Sequence, residues 1–469
     1  MMDITGHYRP KCRHQTIGVQ KGNIIMNHGT SNSPRHGSSQ HLHKPDNANR
    51  LNRRRFLSKA AQAGTLLLLP QVVPSSVLGR DGATAPSERI VLGAIGIGNR
   101  GSYVLGCFLQ QPDVRFVAIC DVKAARRESV KKTADTKYGN QECATYQDLR
   151  ELLARDDIDA VLIATGPNWH ATASIMAAKA GKDVYCEKPC TKNIAQSLAL
   201  AETFRRTGRV FQAGTQRRSL PNFMYAIDLA RHGKLGHLQT MHAHPGGLGT
   251  SMSGWAPPEP EPARDQVDWD LYLGPAAWRP YSRRLLDGFN FEKGGGLVGG
   301  GCLEWGSHCV DLCQWANDAD NTAPIEYEPK GDQLHARYAN GVKLVMRNEG
   351  WLPLGSCPVR FEGDTGWVET ADNGDLVASS EALLAGKGAK ISGYPADFHV
   401  RNFLDCVKSR GQPRASADVA CYSHIACHAA NVALFLGRKV QYDPKKNEFI
   451  NDDEANRLRS EALREPWQI

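Results

Sequence analysis

Two constellations in the chain have residue types and spacings suited to chemistry. The first is Gly96-Ile97-Gly98-Asn99-Arg100-Gly101, between the apolar run 90–95 and a helix-forming stretch, 102–111, that Pro112 stops. Gly96 permits a tight turn, Gly98 lets backbone approach an anion, and Gly101 draws the helix against the strand. Asn99 and Arg100 lie in the turn, and the helix N-terminus presents oriented N–H groups. A second strand, 115–120, ends at Asp121, whose carboxylate can accept both hydroxyls of a ribose. Strand, glycine turn, helix, strand and acid in that register describe a dinucleotide site. The second constellation is Glu304, His308 and Asp311 on a predicted helix over 303–315. Offsets of four and three put all three on one face, and an imidazole one turn from a carboxylate is a proton acceptor for a hydroxyl.

Elements that alternate must position these groups. After Asp121 the chain predicts a helix over 146–154, a strand over 160–164, a helix from "HATASIMAAKAGK", a strand over 183–186 and one more such unit. That alternation implies an α/β first domain, a doubly wound parallel sheet with its ligand at the C-terminal strand ends, over residues 88–216. From 217 to 469 the pattern becomes short β runs between turn residues, such as "GVKLVMRNEG" and "PVRFEGDTG". These predict an α+β domain with a mostly antiparallel open sheet.

Charge separates the leader from the rest. Residues 1–79 hold eleven Lys/Arg against two Asp/Glu, and the remaining chain holds 46 against 47. The basicity belongs to the leader, so no nucleic-acid surface is expected. Residues 1–50 read as a disordered extension. Residues 51–87 read as a signal and linker: Arg53-Arg54-Arg55-Phe56-Leu57 before a modest apolar run resembles a twin-arginine export signal. Periplasmic localisation without a membrane anchor is the expectation. The thirteen cysteines show no CxxC pair and read as buried free thiols, and no metal site is assigned.

With "AGKDVYCEKP", the glycine turn and "WGSHCVDLCQWA", residues 88 to 469 resemble the Gfo/Idh/MocA oxidoreductases. The resemblance implies a hydride transfer between nicotinamide and a carbohydrate or polyol hydroxyl, with Lys188 of "EKP" as catalytic lysine. Glu187 would contact the nicotinamide ribose, Pro189 would sit in a cis peptide, and His308 would move the hydroxyl proton. Glu304 stands where the family usually has aspartate, which leaves open whether it binds substrate, orients His308 or does neither. The cofactor set then comprises Gly96, Gly98, Asn99, Arg100, Gly101, Asp121, Thr165, Asn168, His170, Glu187, Lys188 and Gln216. Lys188, Arg217, Glu304, His308 and Asp311 would face the substrate.

Asn168, Trp169 and His170 read equally as packing residues of a βα loop, although Trp169 would suit stacking on a sugar. Asp121 favours NAD, while Lys123, Arg126 and Arg127 keep NADP open. An exported enzyme has no free NAD pool, which points to a tightly bound, recycling cofactor. The alternatives are an NAD-dependent glycoside hydrolase that oxidises its sugar transiently, and a non-catalytic sugar-binding protein. The second sheet would serve a homodimer or homotetramer.

Overall fold

The computed structural model describes residues 85–249, 257–288, 301–348 and 352–469. The expected extension and signal, and the glycine run up to residue 300, lie outside the described residues.

Six strands form the first sheet: β1 (Ile90–Ile95), β2 (Val114–Cys120), β3 (Ala144–Tyr146), β4 (Ala160–Ile163), β5 (Asp183–Cys186) and β6 (Phe211–Ala213). Their order is β3-β2-β1-β4-β5-β6, and every pairing is parallel. β4 and β5 are buried along their whole length, as expected of strands with helices on both faces. The order reverses beside β1, and there the strand ends open a crevice.

Two predicted elements differ. The helix expected over 146–154 is Leu149–Leu153, because Asp148 caps it by accepting the Arg150 N–H at 2.9 Å. The residues before it pair with β2 as the short edge strand β3, which is too brief and too exposed to show a strand period. The first helix, Asn99–Leu109, starts inside the glycine turn rather than at Ser102.

The second sheet has nine strands: β7 (Leu238–Ala243), β8 (Glu326–Lys330), β9 (Gln333–Arg337), β10 (Lys343–Arg347), β11 (Val359–Gly363), β12 (Trp367–Thr370), β13 (Leu376–Ala378), β14 (Val440–Asp443) and β15 (Glu448–Phe449). Their order is β13-β12-β11-β7-β10-β9-β8-β14-β15, antiparallel except for β7 with β10. One face packs on helices Pro221–Arg231, Gly306–Ala316 and Ala417–Leu436, through residues such as Phe223, Val310, Ile425, Leu344 and Phe361. Helix Ala417–Leu436 has the length and apolarity of a membrane span, yet most of it is buried in this core.

The chain does not leave the first sheet for good. Helix Asp397–Ser409 returns to it, placing Val400, Phe403 and Leu404 in one core with Leu92 and Phe108. Phe403 meets Phe108 and Tyr185 edge to face, at centroid distances of 6.1 and 5.9 Å. Trp467, near the C-terminus, packs edge-on against Trp169 at 4.7 Å. The twelve described cysteines are all buried free thiols.

Candidate active site

β1 delivers the chain into the glycine turn at the crevice. Gly96 has φ +69°, and a Cβ there would stand 2.3 Å from Thr165 Cγ2. A Cβ on Gly101 would stand 2.8 Å from that of Ala164, so only glycine lets the helix lie this close to β4. Gly98 is the N-cap of helix Asn99–Leu109 and makes no side-chain cap bond, so the first N–H groups remain open to an anion. Asp121 ends β2 with its carboxylate accepting N–H bonds from Ile97 (3.0 Å) and Lys123 (2.9 Å). Burial pushes its carboxyl pKa up against those two bonds. It lines one cavity with Gly96, Gly98, Asn99, Thr165 and Asn168. This cradle fits a dinucleotide: an uncapped helix end for phosphate, and a carboxylate for ribose one strand away.

A strap from the second half covers that cavity. Segment 263–288 crosses it, bonding through Ala124 N–H to Gln266 O (2.9 Å) and Asp268 N–H to Val122 O (3.1 Å). Its helix Trp269–Leu273, capped by Asp268, brings Leu271 and Tyr272 into the lining, and Leu286 follows. Asn168 donates to the carbonyls of Tyr272 (3.1 Å) and Leu273 (2.9 Å), and Trp169 Nε1 donates to that of Leu271 (2.7 Å). The two therefore fasten the strap. Trp169 is nearly buried against Trp467, so the sugar-stacking role weighed for it does not fit its position.

A second cavity shares Gly98, Asn99, Ala164 and Thr165 with the first and runs on to Arg100, Glu187, Lys188, Arg217, Glu304, Trp305, His308 and Tyr394. Lys188 follows β5, its peptide to Pro189 is cis, and its ammonium donates to Glu304 Oε1 (2.9 Å) and Glu304 O (3.0 Å). Charge assistance makes this the stronger kind of hydrogen bond, and it fixes where the ammonium points. His308 is buried, and its Nδ1 has no partner among the described residues. Burial, with Arg217, Lys188 and Arg100 nearby, holds its pKa well below the ordinary value, so the imidazole is neutral at physiological pH. Glu187 is buried behind Lys188, accepts from Gln216 Nε2 at 2.8 Å and faces Arg100 Nε at 3.7 Å. Burial raises its pKa while Arg100 and Lys188 pull it down.

Several expected site residues stand elsewhere. Glu304 and His308 do reach one cavity, but the predicted single helix is broken at Trp305 into Gly301–Glu304 and Gly306–Ala316. Gly306, a poor helix former, sits against Cys427 at the break. Asp311 was expected at the substrate. Its carboxylate instead accepts from Arg218 Nε at 2.7 Å in the core, and Arg218 also grips Asp320 at 2.6 Å. A buried guanidinium needs those carboxylates, which takes Asp311 away from the cleft. Gln216 does not line the cleft either; it supports Glu187 from behind and bonds the Tyr185 hydroxyl at 3.0 Å. His170 lines the cavity only with its ring, since both nitrogens face backbone carbonyls, Pro189 O at 2.7 Å and Thr165 O at 3.0 Å. Arg217 lines the cleft while held by Asp372 through two hydrogen bonds, at 3.0 and 2.6 Å.

Three contributors escaped the sequence reading. Trp305 and Tyr394 flank the Arg217 guanidinium at 5.4 and 4.6 Å, and each is a lone aromatic in a break or loop with no spacing to mark it. The strap carries a visible signal, "DWDLYLGPA", but nothing in those letters says what it covers.

Residues 90–215 match the family model described as "Oxidoreductase family, NAD-binding Rossmann fold", and residues 250–469 match "Oxidoreductase family, C-terminal alpha/beta domain". The chain belongs to the Gfo/Idh/MocA oxidoreductase family. Among curated relatives of this Gfo/Idh/MocA protein, a glycosyl hydrolase family 109 protein of Saccharopolyspora erythraea is 36% identical over 128 residues, 26% of this chain and 27% of that one. Myo-inositol 2-dehydrogenase of Thermotoga maritima is 30% identical over 145 residues, 31% of this chain and 42% of that one. The chain thus spans less than half the length of these curated relatives. Solved structures share the fold. Myo-inositol 2-dehydrogenase of Lactobacillus plantarum superposes with TM-score 0.55 at 18% identity, over 76% of this chain and 100% of that one. GenD2 from gentamicin A biosynthesis, in complex with NAD, gives 0.53 at 19%, over 76% and 97%.

Proposed function

We propose that the protein oxidises a hydroxyl of a carbohydrate or polyol to the carbonyl, or reduces that carbonyl back, using NAD retained in the strapped crevice. One observation carries this reading: an ammonium aimed by a carboxylate and a neutral imidazole line the same cavity, which continues into the glycine turn. The bound nicotinamide would supply the hydride exchange. His308, neutral and lining the cavity, takes the hydroxyl proton. Lys188 holds the oxygen as its charge grows, and Glu304 keeps that ammonium in place. Glu304 is one methylene longer than aspartate, and its reach across to Lys188 is the use this chain makes of the extra length.

NAD is favoured over NADP. The Lys123 ammonium donates to Leu286 O at 3.0 Å and Arg126 to Asn99 at 3.2 Å, so both nearby cations have partners, which supports the reading that Asp121 meets a free ribose hydroxyl. The strap across the adenosine side supports slow exchange and a recycling cofactor, as an exported enzyme would require. The test is incubation with a panel of sugars and polyols while reading the reduced-nicotinamide absorbance of the protein's own nucleotide. Absorbance that rises with one sugar and falls with a second, oxidised partner supports recycling, and a flat trace across the panel sinks the reading.

The family 109 relatives favour a second reading, transient oxidation that cleaves a glycoside. Release of nitrophenol from aryl glycosides, without net nucleotide reduction, separates it from the first.

A further inference from the structure

Lys188 is a long side chain on a short loop, so its aim depends on the backbone of residues 187–191. Two buried imidazoles from two different helices grip that backbone. From helix Ala417–Leu436, His424 Nε2 accepts the Cys190 N–H at 2.9 Å. That bond requires Nε2 to be unprotonated, so the ring proton is on Nδ1, where it donates to Ala420 O at 2.7 Å. Only the neutral Nδ1–H form satisfies both contacts. From helix Pro167–Lys179, His170 presents Nδ1 to Pro189 O at 2.7 Å and Nε2 to Thr165 O at 3.0 Å. Burial disfavours a second proton on this ring, which leaves one proton for two carbonyls, and Nδ1, at the shorter contact, is the nitrogen assigned it. One residue further, Thr191 Oγ1 meets Ser197 Oγ at 2.7 Å and His428 Nε2 at 3.2 Å, which extends the grip.

We propose that His170 and His424 are positioning residues for Lys188: two neutral imidazoles that hold the Pro189 carbonyl and the Cys190 N–H, and so fix the path of the loop that aims the ammonium. His424 reaches the loop from the second-sheet core and His170 from a helix of the first-sheet domain, so the lysine is referenced to both. The inference rests on the proposed function only in taking Lys188 to act on the substrate. A displacement of about 1 Å at such a group costs on the order of a hundredfold in rate.

Asparagine places its amide where Nδ1 was, and glutamine places its amide where Nε2 was. His170→Asn therefore keeps the donor to Pro189, and His170→Gln moves it to Thr165. His424→Gln keeps an acceptor for Cys190, and His424→Asn removes it. The expected result is a crossed pattern in kcat with the best sugar of the panel. His170→Asn and His424→Gln stay within about threefold, while His170→Gln and His424→Asn fall at least about tenfold with little change in KM. A role in bulk stability alone would not exchange the tolerated amide between the two sites, so equal losses for Asn and Gln at either site overturn the proposal.

A second measurement needs no substrate. Long-range 1H–15N spectra of the histidine-labelled wild-type protein, assigned with whichever variants fold, are expected to show both rings neutral and protonated on Nδ1. A His424 ring protonated on Nε2 overturns the clamp whatever the activity. If no sugar reacts, the functional reading fails by itself and the ring nitrogens still decide this one.

Discussion

The two halves of the cleft are built by different means. The dinucleotide half is made of backbone: a turn that only glycine can follow, an uncapped helix end and one carboxylate, all within 90–121. The substrate half is made of side chains brought from far apart, with Lys188 after β5, Arg217 after β6, His308 on a broken helix and Tyr394 ahead of the returning helix. A site made of backbone tolerates little local change but is compact in sequence. A site made of distant side chains depends on the whole core behind it.

That contrast can be broken first with acid. Burial drives His170, His399 and His424 down to about 4, and all three lie on the substrate side of the cleft or in the core behind it. A native pKa below the unfolded one means the unfolded chain binds more protons as pH falls. Stability present at pH 7 is therefore lost between about 6.5 and 4, at roughly 3 kcal/mol for each ring. Three such rings rival the stability of an ordinary domain. The expected outcome is cooperative unfolding within that window, followed by circular dichroism; a flat melting temperature from pH 7 to 4 contradicts it.

Next in size is chemistry. His308→Ala and Lys188→Ala should each lower kcat by about 10²–10⁴ while nucleotide binding measured by calorimetry changes little. Asp311→Ala then tests the corrected placement. It leaves Arg218 short of one buried carboxylate and should cost about 3 kcal/mol in urea unfolding, with kcat of the folded protein unaltered. A selective loss of kcat would return Asp311 to the substrate. Gly96→Ala should do the reverse, at about 2 kcal/mol in nucleotide affinity, because the new Cβ meets Thr165. The smallest effect is expected at the strap. Tyr272→Phe removes hydrogen bonds to the Leu285 and Leu286 carbonyls, at 3.1 and 3.2 Å, and should speed nucleotide release about fivefold in stopped flow.

Legibility in the sequence follows the same division. The glycine turn and Asp121 could be read because a parallel strand, a turn and a helix impose a fixed spacing on neighbouring residues. Lys188 became readable through resemblance to a family, whereas His308 was marked first by its helical spacing to Glu304 and then by the same resemblance. Asp311 was misplaced because helical periodicity reports which residues share a face and says nothing of a buried Arg218 arriving from another segment. The letters leave His170 open between ligand contact and packing, because its two carbonyl partners, Thr165 and Pro189, become neighbours only when the βα loops assemble. Trp305, Tyr394 and Asp372 left no trace, since each is a single residue whose partner lies in another part of the chain.

The helix Asp397–Ser409, docked on the first sheet, has a consequence for biogenesis. Until residue 409 has emerged from the ribosome, the N-terminal half has one flank of its sheet bare, with Leu92 and Phe108 awaiting Phe403. Folding therefore cannot finish half by half during synthesis, and a chain stalled or clipped before residue 397 should be a substrate for chaperones and proteases rather than a smaller working enzyme.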